Sequence, residues 1–315
     1  MKMTRIINRH SSVSALVVAS CVFVGLMSAR AAEEERFDTT NDAVKALTTA
    51  VVNKDTNAFE VIFGPSVREL VSADPVQASN GLANFSRRVS EKVAPVNTSD
   101  SCVVVELGWD AWPFPVPLVK QDGKWFFDTE AGKEEILNRR IGRNELNTIS
   151  VCRAYVEAQH DYAGECHSGE GVLEYARQLR STPGQHDGLY WHAEPGEEIS
   201  PLGPLLAQAR GEGYTHESKI MTEKQEPYQG YFFKILTRQG RNAPGGKYNY
   251  IINGHMIAGF ALVAWPAEWG NSGVMTFIIN QQGKVLEKNL GLKTSAIASS
   301  MTTYDPGPGW KPALE

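Results

Sequence analysis

The sequence lacks most of the features that would assign it directly to a functional class. Among its 315 residues are only four cysteines, and after residue 30 no apolar run is long enough to cross a membrane. It also lacks an excess of positive charge: there are 31 basic and 36 acidic residues. Residues 1–31 hold four of the basic residues and no acid, which leaves 27 basic against 36 acidic residues, a net charge of −9. Such an acidic chain excludes a nucleic-acid-binding surface of the usual basic kind.

Catalytic signatures are also missing. The sequence contains no Gly-x-Ser-x-Gly, no His-Glu-x-x-His, no phosphate-binding Walker loop and no Cys-x-x-Cys. One group of potential metal ligands falls within 33 positions, but its spacing matches no known zinc or copper site. The group comprises His160, Cys166, His167, His186 and His192. Solvated loop histidines are the favoured interpretation, and no cofactor is expected.

The N-terminus predicts export. Residues 1–12 are basic, Val13–Met27 is apolar, and Ala29-Arg30-Ala31 has the form of a signal-peptidase step. We therefore expect residues 1–31 to be a signal peptide and the protein to be periplasmic or secreted, without a membrane span after cleavage. A lipoprotein anchored through Cys21 is the less favoured alternative, because that cysteine lies in the middle of the apolar run.

Cleavage would leave three cysteines, Cys102, Cys152 and Cys166, in an oxidising compartment. Three different single disulfides are then possible, with one thiol left over. Two alternatives remain open: a disulfide between Cys152 and Cys166, which are close in sequence, or buried cysteines that form no disulfide.

Residues 32–132 predict a small α+β domain. Helical spacing marks Asn41–Val51 and Ala58–Phe63, and Leu82, Phe85 and Val89 suggest a third helix. Strands are expected at 102–107, at 114–120 and after the turn at 121–124; the prolines of 114–120 favour an edge position. This order resembles the cone-shaped domains of the nuclear-transport-factor-2-like and cystatin-like type.

Residues 133–315 predict a long helix packed on an antiparallel meander. Residues 133–162 contain no proline, and Gly142 is the one point where the helix is expected to break, if it breaks. Short helices are expected at 172–179 and 203–210. Four strands are expected at 229–237, 257–265, 274–280 and 285–289. The element order resembles the globular part of pilins and pseudopilins, but the helix lacks their apolar N-terminal segment, so pilus assembly does not carry over.

Three aromatic residues are candidate ligand contacts. Tyr190 and Trp191 follow a turn, and Trp269 follows a predicted strand. Flat apolar rings with polar edges suit a ledge that binds a glycan or a peptide. The alternative, which we favour, is that these rings are ordinary core.

Several long blocks, in order, resemble a bacterial family, domain-of-unknown-function family 2950 (DUF2950). The blocks are PFPVPLVKQDGKWFFDTEAGKEEILNRRIGRNEL (113–146), CRAYVEAQHDYA (152–163), DGLYWHAEPGEEISPLGPL (187–205), PYQGYFFKILTRQGRNAPGG (227–246) and GFALVAWPAEWGNSGVMTFIINQQGKVLEKNLG (259–291). The resemblance implies an exported bacterial protein and brings no activity or catalytic residue with it.

Together these observations favour a non-catalytic envelope protein that binds or scaffolds a protein, peptide or glycan. An enzyme is the less favoured class. Its concrete form is a metal-dependent hydrolase that uses the region from His160 to His192.

We predict a mature N-terminus near Ala32. Mass spectrometry of the periplasmic fraction should detect a chain that begins there, because the apolar core ends before Ala29-Arg30-Ala31. An intact Met1 peptide or a lipid on Cys21 would contradict cleavage at this step.

Overall fold

The protein has an α+β fold, as the sequence predicts. The computed structural model describes residues 34–71, 75–167, 169–193, 196–211 and 227–314, so the predicted signal peptide lies outside the described residues. The chain divides into two compact units, Met1–Leu137 and Asn138–Glu315. Separate folding of residues 32–132 and 133–315 stays a prediction. The likeness of the first to nuclear-transport-factor-2-like or cystatin-like domains, and of the second to pilins and pseudopilins, also stays a prediction.

The N-terminal unit begins with helices whose ends are set by local side chains. They are α1 (Thr40–Asn53), α2 (Thr56–Phe63), a short 3-10 helix (Pro65–Leu70) and α3 (Pro75–Glu91). The Thr39 hydroxyl accepts a hydrogen bond from the Asp42 amide, and the Asp55 carboxylate accepts from the amides of Asn57 and Ala58. These caps satisfy amides that have no partner within the helix and so define where α1 and α2 begin.

The first sheet follows the helices. Its strands are β1 (Val93–Ser99), β2 (Cys102–Leu107), β3 (Trp112–Pro113), β4 (Leu118–Gln121) and β5 (Lys124–Phe127). The order is β1-β2-β4-β5, all antiparallel, with β3 beside β2. The predicted hairpin at residues 121–124 is confirmed, since Asp122 and Gly123 both have the positive φ of a type I′ turn.

The expected edge position of residues 114–120 is wrong. Strand β4 lies between β2 and β5. It begins only at Leu118, so Pro115 and Pro117 precede it. Because these prolines stand outside the ladder, their missing N–H groups cost the sheet no hydrogen bond.

The longest element is helix α4 (Thr129–Tyr162), which runs through Gly142 without a break. Leu146 does not belong to the buried face of this helix, because its side chain is 56% exposed. The face that joins the core is made by Ile149, Cys152, Tyr155 and Tyr162. No helix among the described residues has the length and apolar character needed to cross a membrane.

The C-terminal unit contains the predicted antiparallel meander. Its strands are β6 (Tyr231–Leu236), β11 (Ala261–Pro266), β12 (Met275–Asn280), β13 (Leu286–Asn289) and β15 (Lys311–Pro312), in the order β15-β13-β12-β11-β6. Strand β11 is buried along its whole length, and it shares one core with the buried face of α4. A packed helix and meander therefore form this unit, as expected.

Smaller elements complete this unit. They are α5 (Gly203–Gly211), β7 (Arg238–Gln239), β8 (Tyr248–Asn249), β9 (Ile251–Ile252), β10 (His255–Met256), a 3-10 turn (Gly291–Lys293), α6 (Thr294–Ser300) and β14 (Thr303–Tyr304). Strands β14, β7 and β8 form a small sheet, and β9 pairs with β10.

The helix predicted at residues 172–179 is wrong, since this segment is irregular. Its backbone hydrogen bonds go to other parts of the unit. The buried Gln159 amide group both donates to the Ala176 carbonyl and accepts from the Ala176 amide, at 2.9 Å each. The Tyr175 amide donates to the Met256 carbonyl at 2.8 Å. Tertiary hydrogen bonds thus replace the helical ladder that the local sequence favours.

No disulfide joins Cys102, Cys152 and Cys166 in the part of the chain that the structure describes. Cys152 lies in the core of the C-terminal unit, and burial raises the pKa of its thiol to about 12. Its reactive thiolate form is therefore scarce at neutral pH.

Replacing Ile149 with Asp should lower the free energy of unfolding of the mature chain by roughly 3 kcal/mol or more, because the change removes packing and buries a carboxylate. Leu146→Asp is the matched control, placed one turn earlier on the exposed side of α4. It should change stability by about 0.5 kcal/mol or less. Urea denaturation measures both, and equal losses would show that α4 does not bury this face.

Candidate functional site

Two of the predicted ligand contacts, Tyr190 and Trp191, lie in the core of the C-terminal unit, where they are 3% and 7% exposed. The Trp191 indole N–H donates to the Glu198 carbonyl at 3.1 Å. The His186 ring stacks on Trp191 with centroids 4.1 Å apart and planes 12° from parallel. Their place in the core leaves these two rings little surface for a ligand, and a binding role for them stays a prediction.

Three of the candidate metal ligands, His160, His167 and His186, contact aromatic rings, and the last two both lie against Trp191. His160 contacts Phe260 edge-on at 5.5 Å, and His167 stacks on Tyr162 at 4.0 Å. Cys166 and His192 are exposed. Within the described residues, no three His, Cys, Asp or Glu side chains form a group that could hold a metal ion. The structure therefore adds no support to the metal-dependent hydrolase.

The third predicted contact, Trp269, lies in a well-ordered loop that we call the Trp269 loop (Ala267–Gly273). Backbone hydrogen bonds close it, from the Gly270 amide to the Gly273 carbonyl and from the Ser272 amide to the Glu268 carbonyl. The Ser272 hydroxyl accepts a hydrogen bond from the Glu268 amide and donates one to the Glu268 carbonyl oxygen at 3.2 Å. Its hydrogen bonds thus help to close the loop.

Glycines allow the loop to approach the rest of the unit closely. A Cβ at Gly273 would lie 2.1 Å from the Tyr231 hydroxyl oxygen, and a Cβ at Gly230 would lie 2.6 Å from Asn144 Nδ2. Gly230 also has φ +82°, a backbone conformation that residues other than glycine rarely adopt. Tyr231 in turn donates to the Met275 carbonyl at 2.9 Å. Only glycine permits this packing at either position.

Helix α4 holds the loop through one polar face. Arg140 Nη1 donates to Asn271 Oδ1, and Asn144 Nδ2 donates to the Ser272 carbonyl, both at 2.9 Å. The Glu145 carboxylate accepts the amides of the two residues that follow the loop, Val274 and Met275, again at 2.9 Å. These contacts give three polar or charged side chains of α4 a structural role.

The loop presents an aromatic ring with polar groups around it. Trp269 is partly exposed, and its indole N–H donates to Asn289 Oδ1 at 3.0 Å, which fixes the ring. Glu268 is exposed, and its carboxylate accepts from Asn271 Nδ2 at 2.7 Å. The loop therefore brings an indole, an amide and a carboxylate together.

Two arginines of α4 lie in this region, where the carboxylates of Glu145 and Glu268 also lie. Arg140 and the exposed Arg143 are three residues apart, so both lie on one side of α4. Burial and the neighbouring charge of Arg143 lower the pKa of the Arg140 guanidinium below its usual value, and Glu268 partly opposes this. Two adjacent guanidinium groups repel each other, and an anion placed between them would relieve that repulsion.

Sequence reasoning found Trp269 but missed Arg140, Asn144 and Glu145 as its supports. The four-residue spacing of Arg140 and Asn144 places them on one helix face, which was the available signal. Their partners lie about 130 positions later in the chain, and no local pattern identifies partners at that distance.

Replacing Glu145 with Ala should destabilise the attachment of the loop by roughly 1–3 kcal/mol, because two amides lose a charged acceptor. Hydrogen exchange at Val274 and Met275 should become faster. Glu157→Ala, an exposed glutamate of the same helix, is the matched control and should leave that exchange unchanged. Unaltered exchange in Glu145→Ala would contradict the assigned role.

A comparison with protein families assigns the chain. A family model described as "Protein of unknown function (DUF2950)" matches residues 34–313, which include both units described above. No curated protein and no solved structure matches the chain. The family match covers nearly all of the sequence and agrees with the resemblance seen in its aromatic and glycine-rich blocks, so the chain belongs to the DUF2950 family.

Proposed function

We propose that the protein is exported to the bacterial envelope and acts there as a non-catalytic module that binds an acidic glycan at the Trp269 loop. The observation that carries the proposal is the fixed, partly exposed Trp269 in a loop whose Asn271 accepts a hydrogen bond from Arg140, with Arg143 near Arg140. Export is supported by the basic start, the short apolar core and the Ala29-Arg30-Ala31 step.

The choice of a glycan rests on the chemistry around the ring. One edge of Trp269 is held by Asn289, and the partly exposed indole offers an apolar surface on which a sugar ring can stack. The exposed Glu268 supplies a carboxylate at the same loop, and carboxylates accept hydrogen bonds from hydroxyls. A protein or peptide partner would be expected to bury a larger apolar patch.

The choice of an acidic glycan rests on charge. The mature chain carries a net −9, so most of its surface repels anions. Arg140 and Arg143 supply two guanidinium groups in this region, and a guanidinium pairs well with a carboxylate. A sugar that carries a carboxylate would place its ring on Trp269 and its charge near the arginines.

The non-catalytic part of the proposal rests on how the polar side chains are used. Ser272, Asn271 and Glu145 all take part in hydrogen bonds that hold the loop. Such commitments suit a rigid recognition surface, because groups already fixed in position lose little entropy on binding.

The test compares two oligosaccharide probes by calorimetry on the mature chain. One is a set of peptide-free glycan strands from peptidoglycan, which carry lactyl carboxylates; the other is a set of N-acetylglucosamine oligomers of equal length, which carry none. We expect binding of the first at low salt and weaker binding of the second. The recovered strands should keep their length.

Variants give the sharper result. Trp269→Ala should weaken binding of both probes by about tenfold, whereas Arg143→Ala should weaken binding of the acidic probe alone. Trp310→Ala and Arg153→Ala are the matched controls in the same unit. No binding of either probe, binding that survives Trp269→Ala, or shortened strands would each overturn the proposal.

A further inference from the structure

A second tryptophan stands out in the N-terminal unit. Trp109 lies in the turn between β2 and β3 and is 77% exposed, although the unit has an apolar core of its own. A ring so exposed has most of both faces in water. Burying it elsewhere would remove a large apolar surface from solvent.

The turn that carries Trp109 is held in place. The Arg88 guanidinium forms an ion pair with Asp110 at 2.7 Å, and the Gly108 amide donates to the Lys92 carbonyl at 2.9 Å. Gly108 has φ +77°, and a Cβ there would lie 2.8 Å from the Asp110 carboxylate. Ala111 also has a positive φ, at +52°, which is unfavourable for alanine. The backbone thus adopts a strained turn that presents an apolar ring to solvent.

This geometry favours insertion into a pocket. A tryptophan that stacks on a sugar usually has one face packed on its own protein, whereas most of the surface of Trp109 is exposed. Projecting tryptophans that fill a pocket on a partner are typical centres of protein–protein interfaces. A rigid turn lowers the entropy lost when the ring is inserted.

The N-terminal unit also contains a matching pocket, which we call the α1–α2 groove. It has a volume of about 580 Å³, more than one indole requires, and is open to solvent. Its apolar lining comprises Phe37, Ala46, Ala50, Ala58, Val61 and Ile62.

Charge complements shape. The groove is bordered by Glu35, Asp42 and Asp55 against one cation, Lys45. Near Trp109, Arg87 and Arg88 form ion pairs with Glu91 and Asp110, and the charge of Lys92 is left in excess, which gives this surface the opposite sign. A carboxylate at the groove can also accept the indole N–H, which would otherwise lose its hydrogen bond to water.

We propose that Trp109 of one copy of this chain inserts into the α1–α2 groove of a second copy. The contact joins two N-terminal units and is independent of the Trp269 loop.

Sedimentation velocity of the mature chain over a range of concentrations tests this. The weight-average mass should rise with concentration. Trp109→Ala removes the ring that is inserted. Thr49→Arg places a long cationic side chain at the α1–α2 groove, where Thr49 is exposed. Each variant alone should weaken self-association by at least about tenfold. Leu292→Ala, at an 88% exposed leucine of the other unit, is the control and should behave like the parent chain.

Mixing the two variants provides the decisive measurement. The Thr49→Arg chain still has Trp109, and the Trp109→Ala chain still has an unchanged α1–α2 groove. The mixture should therefore form heterodimers, whereas neither variant associates with itself. Thermal unfolding checks that both variants remain folded. A parent chain that stays monomeric, or a mixture that associates no better than its components, would overturn the proposal.

Discussion

The C-terminal unit depends on the burial of one face of helix α4 in the same core as strand β11. Ile149, Cys152 and Tyr155 supply the apolar part of that face. The polar atoms on it are satisfied, since the Tyr155 hydroxyl donates to the Ala261 carbonyl and Gln159 hydrogen-bonds both Tyr155 and Ala176. Because buried polar groups without partners are costly, these contacts specify one position of the helix on the sheet.

That position has consequences about one to two and a half turns earlier along α4. A straight helix that is fixed at Ile149 and Tyr155 also fixes where Arg140, Asn144 and Glu145 project. These three side chains attach the segment from Asn271 to Met275. Core packing and the geometry of the proposed glycan surface are therefore coupled through the rigidity of a single helix, and the close approach at Gly230 and Gly273 completes the attachment.

Much of the fold could be predicted from the sequence, and the candidate site only in part. Period-3.6 spacing located α1, α2 and α4, and the Asp122-Gly123 turn located the β4–β5 hairpin. Trp269 was identified as a candidate, but its supports were not, because hydrogen bonds across about 130 residues leave no local periodicity. The helix predicted at 172–179 is wrong because the partners of its backbone are tertiary: the Ala176 amide donates to the Gln159 side chain and the Tyr175 amide to the Met256 carbonyl.

The sequence by itself determined the α+β class, the family and the existence of a long helix followed by a meander, because these follow from local periodicity, turn chemistry and long blocks of similar text. Tertiary structure alone decided which side chains are exposed. Trp191 is buried and Trp109 is 77% exposed, although each stands beside a turn in an aromatic-rich segment. Exposure depends on what packs against a residue from distant parts of the chain, and neighbouring residues in sequence do not encode it.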